Sequence, residues 1–280
     1  MNGTRLKTGI ERRDELAVTA PAREGATVRI LALAYGAVSY ATFFLTFLYA
    51  IGFLGNVLVP KSLDSAATDL WPTALMVDLV LLSLFAVQHS VMARQGFKRI
   101  LTRIIPAFAE RSTYVLASSL ALMLLFWQWR PLGGSVWDVE NAAGRALLLG
   151  GFAFGWVLVL VTTFVINHFD LFGLRQTWRA FRGQPQTSLR FVTPILYRIV
   201  RHPLYVGWLF TFWSTPTMTL THLLFAVMTT AYILVAIQLE ERDLMQAHPE
   251  YAEYRRRVPM LVPVGRRQVT AAEQMRTARV

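Results

Sequence analysis

The chain has no cysteine among its 280 residues. This absence excludes disulfide bonds, thiolate metal sites and a cysteine nucleophile. Charged residues are also scarce: they make up 16% of the chain, against about 25% in an average soluble domain. Low-complexity tracts are missing as well, and aromatic residues reach 12%. A disordered or fibrous protein is therefore excluded.

In place of charge, the sequence has long apolar stretches. Hydrophobic residues make up 54% of the chain and the mean hydropathy is +0.41. A bilayer-spanning helix needs about 20 mostly apolar residues. Four stretches meet this need, and residues 203–239, which carry no charged side chain, are long enough for two spans with a break at residues 214–217. We therefore predict an all-α integral membrane protein with about six transmembrane helices. The predicted spans lie near residues 30–55, 72–93, 113–130, 145–167, 203–215 and 217–240.

The positions of Lys and Arg predict how these spans are oriented. Of the 28 basic residues, 25 fall in the N-terminal tail, in two alternate loops and in the C-terminal segment, and 3 fall in the other loops. Because positive charge concentrates on the cytoplasmic side of membrane proteins, both termini are predicted to be cytoplasmic. This distribution explains the net charge of +11 without a nucleic-acid partner. The first apolar stretch lacks a cleavage site and is expected to be a retained anchor.

Common catalytic motifs are absent from the sequence. It contains no Walker loop, no GxSxG and no HExxH. Its His and acidic residues lack the spacing of metal ligands, so no metal is expected. The predicted organisation is a basic tail, a membrane domain and a polar tail, at residues 1–29, 30–263 and 264–280.

A first group of polar side chains lies at residues 201–208, where the fifth span is predicted to begin. Arg201, His202, Tyr205 and Trp208 meet there, and Pro203 favours a first helical turn because its missing N–H is not needed at that position. Two interpretations are open. The block is either an interfacial anchor of snorkelling Arg and belt aromatics, or part of a functional site.

A second group is the pair Glu240 and Glu241, at the predicted cytoplasmic end of the sixth span. Because both elements emerge on the same side of the membrane, these acids are expected to meet Arg201 and His202. The helix dipole disfavours acidic side chains near a helix C-terminus, so their presence there favours a functional role over a purely structural one. The two acids lie about 100° apart around a helix, so they are expected to differ in role. The alternative is a solvated, salt-bridged helix exit.

A third group is the segment that contains Tyr251, Tyr254 and Arg255. These three side chains share one helical face, at the spacing i, i+3, i+4. The face is suited to cap a cofactor with aromatic rings. The alternative is an amphipathic helix that lies on lipid headgroups.

Two histidines close predicted spans on the same side. His89 precedes Arg94 at the end of the second span, and His168 precedes Arg175 after the fourth. A polar residue at a helix exit is usually solvated, but two histidine-centred sets at one depth favour a shared function.

Two further polar residues lie elsewhere in the predicted spans. Asp78 lies about midway along the second span, where an acid is a functional candidate by default, although no partner for it is evident. A hydrogen-bonded structural acid is the alternative. His222 is expected at the interface on the opposite side of the membrane.

These blocks resemble the isoprenylcysteine carboxyl methyltransferase superfamily, whose members are integral membrane enzymes that use S-adenosylmethionine. The resemblance rests on Arg201-His202-Pro203-x-Tyr205-x-Gly207, on Glu240-Glu241-x-x-Leu244 and on Tyr251-x-x-Tyr254. Within the superfamily, the chain is most similar to the bacterial methanethiol S-methyltransferases. The stretches that carry this closer similarity include residues 87–94, 110–114, 126–131 and 167–175.

The resemblance implies methyl transfer from S-adenosylmethionine to methanethiol, which gives dimethyl sulfide, in a bacterial plasma membrane. Arg201 is suited to the cofactor carboxylate, and Glu240 or Glu241 to its amine or ribose hydroxyls. Aromatic faces are suited to the sulfonium cation. The cofactor-binding residues expected from the resemblance are Arg201, His202, Pro203, Tyr205, Gly207, Trp208, Glu240, Glu241, Tyr251 and Tyr254.

A thiol must lose its proton before it attacks, because the thiolate is the nucleophile. His168 is the preferred candidate base, since Asn167 and Asp170 are placed to orient it, and His89 is the second candidate. Arg94 or Arg175 would stabilise the thiolate.

Other functions are open at this point. Within the superfamily the acceptor could be hydrogen sulfide, another small thiol, a prenylcysteine carboxylate or a lipid amine. A six-span carrier without catalysis is a remoter alternative. It predicts polar residues through the midplane of several helices, and the sequence has few there.

Overall fold

A computed structural model describes residues 25–187 and 194–263 of the chain. The predicted tails lie outside this part, apart from residues 25–29. Ten α-helices and two short strands are found in the described part. The helices are α1 (Ala26–Gly55), α2 (Trp71–Ala93), α3 (Gln95–Leu101), α4 (Glu110–Gln128), α5 (Ala142–Ile166), α6 (His168–Leu171), α7 (Leu174–Phe181), α8 (Pro203–Trp213), α9 (Leu220–Ala247) and α10 (Tyr251–Arg257); the strands are β1 (Ser135–Asp138) and β2 (Thr217–Thr219).

Four helices of the described part are long and apolar enough to cross a membrane. They are α1, α2, α5 and α9. Helix α8 has 11 residues and reaches about 16 Å at 1.5 Å per residue, short of the roughly 30 Å of a bilayer core. Residues 214–216 connect it to β2 in non-helical form. The structure is thus that of a mostly helical integral membrane protein.

The helices run between two ends of one bundle. We call the end that contains residues 94–110, 167–187, 194–202 and 248–263 the charged end. The other end, with residues 56–70, 129–141 and 214–222, is called the ribbon end. Its name comes from β1 and β2, which pair antiparallel there. The ribbon is small, with strands of 4 and 3 residues, and the described part is otherwise mostly helical, as predicted. The predicted break at residues 214–217 is confirmed, because α8 ends at Trp213 and α9 begins at Leu220.

Helices α5 and α8 pack with their backbones in contact. A Cβ placed on Gly207 of α8 would lie 2.9 Å from the carbonyl oxygen of Gly155, and one on Gly155 would lie 2.7 Å from that of Gly207. Small residues allow membrane helices to approach this closely. Glycine at both positions therefore fixes α8 against α5.

His222 holds the ribbon end together, at the end of the bundle opposite the charged end. Its side chain is fully buried. Nδ1 lies 3.0 Å from Asp64 Oδ2, and Nε2 lies 3.0 Å from the carbonyl oxygen of Phe212. The ring thereby contacts one oxygen from the loop before α2 and one from the end of α8. The Phe212 carbonyl is free to accept because the residue four positions on, Pro216, has no N–H.

Two acids at the ribbon end gain partners that the sequence did not reveal. Burial favours a raised pKa for Asp64, but the hydrogen bond and charge of His222, with hydrogen bonds from Thr219 and Asn56, hold it below its usual value. Asp78 is fully buried and accepts the backbone N–H of Arg130 at 2.9 Å. Both acids therefore tie connecting loops to the bundle.

Candidate functional site

Glu241 is the centre of an ion cluster at the charged end. Its side chain is 1% exposed. Oε1 accepts from Arg201 Nε at 2.7 Å and lies 3.0 Å from His202 Nε2. Oε2 lies 2.9 Å from Arg255 Nε. The contact predicted between the 201–202 and 240–241 blocks is present, and Arg255 joins it.

Arg201 is occupied by protein groups. Besides Glu241, its Nη1 donates to the carbonyl oxygens of Arg255 at 2.9 Å and Val258 at 2.6 Å. The backbone N–H groups of Arg201 and His202 donate to the carbonyls of Pro259 and Met260. The guanidinium therefore fastens the segment after α10 to the start of α8.

Glu240 differs from its neighbour in exposure. Its side chain is 46% exposed, and Oε2 accepts the hydroxyl of Tyr205 at 3.1 Å. His202 Nδ1 lies 3.9 Å from the same oxygen. The prediction that these acids end the helix is wrong, because α9 continues to Ala247. Glu241 is thus enclosed by basic side chains, while Glu240 faces accessible space beside Tyr205.

Helix α10 docks through its two tyrosines. Tyr251 is 2% exposed, and the Tyr254 hydroxyl donates to the carbonyl of Tyr197 at 2.6 Å. Burial raises the pKa of Tyr254 to about 12, against a smaller opposing effect of Arg201. Burial also raises the pKa of Tyr251 above its usual value. Both rings are therefore neutral and packed, and the predicted helical face is present.

The first two turns of α8 hold the other predicted cofactor residues. Pro203 occupies the first turn and is buried. Gly207 faces α5, as described above. The Trp208 ring packs edge-on to Trp156 at 5.3 Å between centroids and stacks with Phe212 at 5.7 Å. Of this set, Tyr205 lies directly beside Glu240.

His89 lies in a second cluster, between α2, α4 and α9. Its Nε2 is 2.7 Å from the Tyr114 hydroxyl, and its Nδ1 is 3.1 Å from Ser118 Oγ. The ring of Phe85 stacks on the imidazole at 5.2 Å, and that of Tyr232 meets it edge-on at 6.5 Å. Both ring nitrogens of His89 therefore have hydroxyl partners inside an aromatic enclosure.

The His89 cluster is connected to Glu240 along α9. Tyr232, whose ring contacts the imidazole, lies on that helix about two turns before Glu240. Arg94, the predicted anion-stabilising residue, forms an ion pair with Asp243 of α9 at 2.8 Å. The end of α2 is thereby attached to the helix that carries Glu240.

His168 lies apart from these two clusters. Its Nε2 is 2.8 Å from the Tyr40 hydroxyl, its Nδ1 is 2.9 Å from Thr163 Oγ1, and its ring stacks on Phe164 at 4.2 Å. Burial lowers the pKa of His168. The ring and hydrogen-bond contacts of His168 reach α1 and residues 163–172, so it belongs to an aromatic pocket at the other side of the bundle.

The predicted companions of His168 are present but directed elsewhere. The Asn167 side chain accepts the backbone N–H of Asp170 at 3.2 Å. Arg175 donates to Asp170 at 2.7 Å and to Thr187 Oγ1 at 2.7 Å. These residues fix the turn after α5, and Asp170 orients Arg175 rather than the imidazole.

Sequence reasoning gave no role to Tyr114, Ser118 or Tyr232, and it did not foresee the contact of Arg255 with Glu241. Two spacings are informative in retrospect. Tyr114 and Ser118 lie four residues apart and so share a helix face. Tyr232 precedes Glu240 by eight residues, about two turns along the same helix. Within residues 25–187 and 194–263, no group of three His or acidic side chains is arranged to hold a metal ion.

Comparison with known proteins places these residues in a family. A family profile described as Protein of unknown function (DUF1295) matches residues 140–258. The chain is 58% identical over 236 residues to the methanethiol S-methyltransferase of Crocosphaera subtropica, covering 84% of this chain and 92% of that protein. It is 55% identical over 236 residues to the methanethiol S-methyltransferase of Mycobacterium tuberculosis, with coverage of 84% and 97%.

Methanethiol S-methyltransferase 2 of Bradyrhizobium diazoefficiens is also 55% identical over 236 residues, with coverage of 84% and 91%. No solved structure matches the chain. The similarity thus extends over most of this sequence and nearly all of each relative. On this evidence the chain belongs to the methanethiol S-methyltransferase family.

Proposed function

We propose that this protein methylates methanethiol to dimethyl sulfide with S-adenosylmethionine as the methyl donor. The observation that carries the proposal is the position of Glu240: an accessible carboxylate beside Tyr205, about two turns along α9 from Tyr232 of the His89 cluster. A ligand-binding group and a proton acceptor are thus connected by one helix at the same end of the bundle. The names of the relatives support the choice of acceptor.

The residues around Glu240 fit the proposed cofactor. When bound, S-adenosylmethionine supplies a methyl group on a positively charged sulfur. Glu240 is suited to its amine or ribose hydroxyls, because it is accessible and, among residues 25–187 and 194–263, His202 is the one basic side chain within ion-pair distance of it. The Tyr205 ring supplies an aromatic face for a cation.

The enclosed residues take a different role in this proposal. Arg201 has its donors engaged by Glu241 and two carbonyls, so we assign it to positioning instead of to the cofactor carboxylate. We assign His202, Glu241 and Arg255, which form the ion cluster with Arg201, to the same positioning role. Tyr251 and Tyr254 hold α10 against this cluster, and Pro203, Gly207 and Trp208 fix the helix that presents Tyr205.

For the thiol proton we propose His89 as the acceptor, in place of His168. His89 contacts Tyr232, which lies on α9 about two turns before Glu240, whereas His168 is surrounded by aromatic side chains of α1 and residues 163–172. Alignment of the reacting groups and exclusion of water are the main requirements of a methyl transfer. The rings of Phe85, Tyr114 and Tyr232 exclude water from the His89 side of the site.

We further propose that the charged end faces the cytoplasm of a bacterial cell, at its plasma membrane. Helices α1, α2, α4, α5, α8 and α9 would make six crossings, with α8 extended by residues 214–219, in a membrane domain of residues 30–263 between tails 1–29 and 264–280. Both termini are then cytoplasmic. This orientation follows the 25 basic residues of the N-terminal tail, alternate loops and C-terminal segment. It gives a water-soluble cofactor and a membrane-permeant thiol access to one site.

The test is headspace gas chromatography on membranes that contain the protein. Wild-type membranes should form dimethyl sulfide only when both S-adenosylmethionine and methanethiol are present. His89→Asn should abolish the product, and His168→Asn, the matched change, should retain it. No product from wild-type membranes would refute the proposed reaction. Loss of product in His168→Asn alone would refute the choice of base.

A further inference from the structure

His89 has no ring nitrogen open to a substrate. Tyr114 Oη lies 2.7 Å from Nε2, and Ser118 Oγ lies 3.1 Å from Nδ1. A neutral imidazole has one N–H and one lone pair. The two hydroxyls therefore take one of these each, and a thiol can exchange a proton with His89 only through one of them.

Burial distinguishes the two hydroxyls. Ser118 Oγ accepts from Gln88 Nε2 at 3.4 Å and keeps a second lone pair that can accept the Nδ1 proton. In the tautomer with the proton on Nδ1, the lone pair is on Nε2 and accepts the Tyr114 O–H. Ser118 is 7% exposed, whereas Tyr114 is only half-buried. Tyr114 is the one of the two with access to a ligand.

Tyr114 is held in a fixed position beside His89. Arg111 stands over its ring, with Cζ 5.3 Å from the centroid, and is held there by a 2.8 Å bond from Nε to the carbonyl of Leu171. The cation–π contact and the bond to the backbone hold the ring in one orientation.

We propose that Tyr114 is the catalytic residue that touches the acceptor thiol and relays its proton to His89. This inference rests on the proposed function. In the step, the thiol S–H bond breaks and its proton binds to Tyr114 Oη. The original Tyr114 O–H bond breaks at the same time, and that proton binds to His89 Nε2. The products are a thiolate, a neutral tyrosine and an imidazolium, so protons and charge balance.

The test compares Tyr114→Phe with Tyr35→Phe. Each change removes one tyrosine hydroxyl that forms a hydrogen bond between α4 and a neighbouring helix. The Tyr35 hydroxyl, on α1, lies 2.8 Å from Thr113 Oγ1 of α4. With methanethiol, kcat of Tyr114→Phe should fall about 10²- to 10⁴-fold, the usual contribution of a proton-transfer group. Tyr35→Phe should stay near wild type. Trifluoroethanethiol is a much more acidic thiol, so a larger share of it is already thiolate in solution and needs no base. With this thiol, most of the loss of kcat in Tyr114→Phe should disappear.

A second measurement needs no cofactor. Methanethiol added to purified wild-type protein should show the ultraviolet absorbance of a thiolate, and Tyr114→Phe should not. Equal losses with both thiols would assign Tyr114 a structural role and overturn the inference. Unchanged kcat in Tyr114→Phe, with active wild type, would overturn it and leave the proposed reaction in place. An inactive wild type would overturn both.

Discussion

Glutamine in place of Glu241 should destabilise the fold, whereas glutamine in place of Glu240 should weaken cofactor binding without destabilising it. Glu241 is 1% exposed and neutralises Arg201, whose side chain is 10% exposed. Removal of one partner from a buried ion pair costs about 3–5 kcal/mol. Glutamine keeps one acceptor oxygen, so we expect about 3 kcal/mol. Arg255 is 42% exposed and adds little.

Glu240 gives the opposite expectation. It is 46% exposed, and an amide oxygen can still accept the Tyr205 hydroxyl, so stability should change by less than about 0.5 kcal/mol. A hydrogen bond to a charged group contributes about 1.5–3 kcal/mol. Its loss should weaken S-adenosylmethionine binding about 10- to 100-fold.

Thermal unfolding in lipid nanodiscs and calorimetric titration with S-adenosylmethionine measure the two effects on the same samples. We expect Glu241→Gln to be less stable than wild type, and Glu240→Gln to be as stable as wild type but weaker in cofactor binding. A stable Glu241→Gln protein that no longer binds the cofactor would assign the ligand contact to Glu241. It would refute the division of roles drawn from the exposure of the two acids.

Three further changes test the packing. Gly207→Ala places a Cβ 2.8 Å from Val159 Cγ2 and should lower the free energy of unfolding by about 1–3 kcal/mol; Gly150→Ala, with open space around it, should not. His222→Gln removes a donor from two buried acceptors and should cost about 1–3 kcal/mol by chemical denaturation. Burial lowers the pKa of His168, so below about pH 6.5 the unfolded chain binds a proton that the folded protein does not. Stability should therefore fall as pH falls, and His168→Gln should flatten this part of the unfolding temperature profile between pH 5 and 7.

The sequence predicted contacts that follow from topology alone. The blocks at 201–202 and 240–241 both border apolar runs, and the predicted topology put them at the same end of the bundle, so their meeting required no knowledge of helix rotation. The end of α9 was misplaced for a physical reason. Loss of hydrophobicity at Glu240 marks where a membrane span could end, but residues 242–247 are good helix formers and continue the helix.

Contacts that depend on helix rotation could not be predicted. The spans are apolar on all sides, so periodicity does not reveal which face points inward. The pairing of His89 with Tyr114, and the separation of His168 from both, are set by these rotations. His222 and Asp64 are 158 residues apart, and no local pattern connects them. The β1–β2 ribbon is equally non-local, and its strands have only 4 and 3 residues.

Two histidines, one just before α8 and one on α9, attach the two ends of α8 to α9 and so limit how α8 can move. His202 connects the start of the helix to Glu241, and His222 holds the Phe212 carbonyl at its end; Glu241 and His222 both belong to α9. Because both ends of α8 are hydrogen-bonded to residues of one helix, α8 cannot slide or tilt along α9 without breaking these contacts. The α8–α9 hairpin therefore moves as one piece. Any opening that admits a cofactor and releases its product must come from the elements packed around this hairpin, α10 on one side and the ends of α2 and α4 on the other.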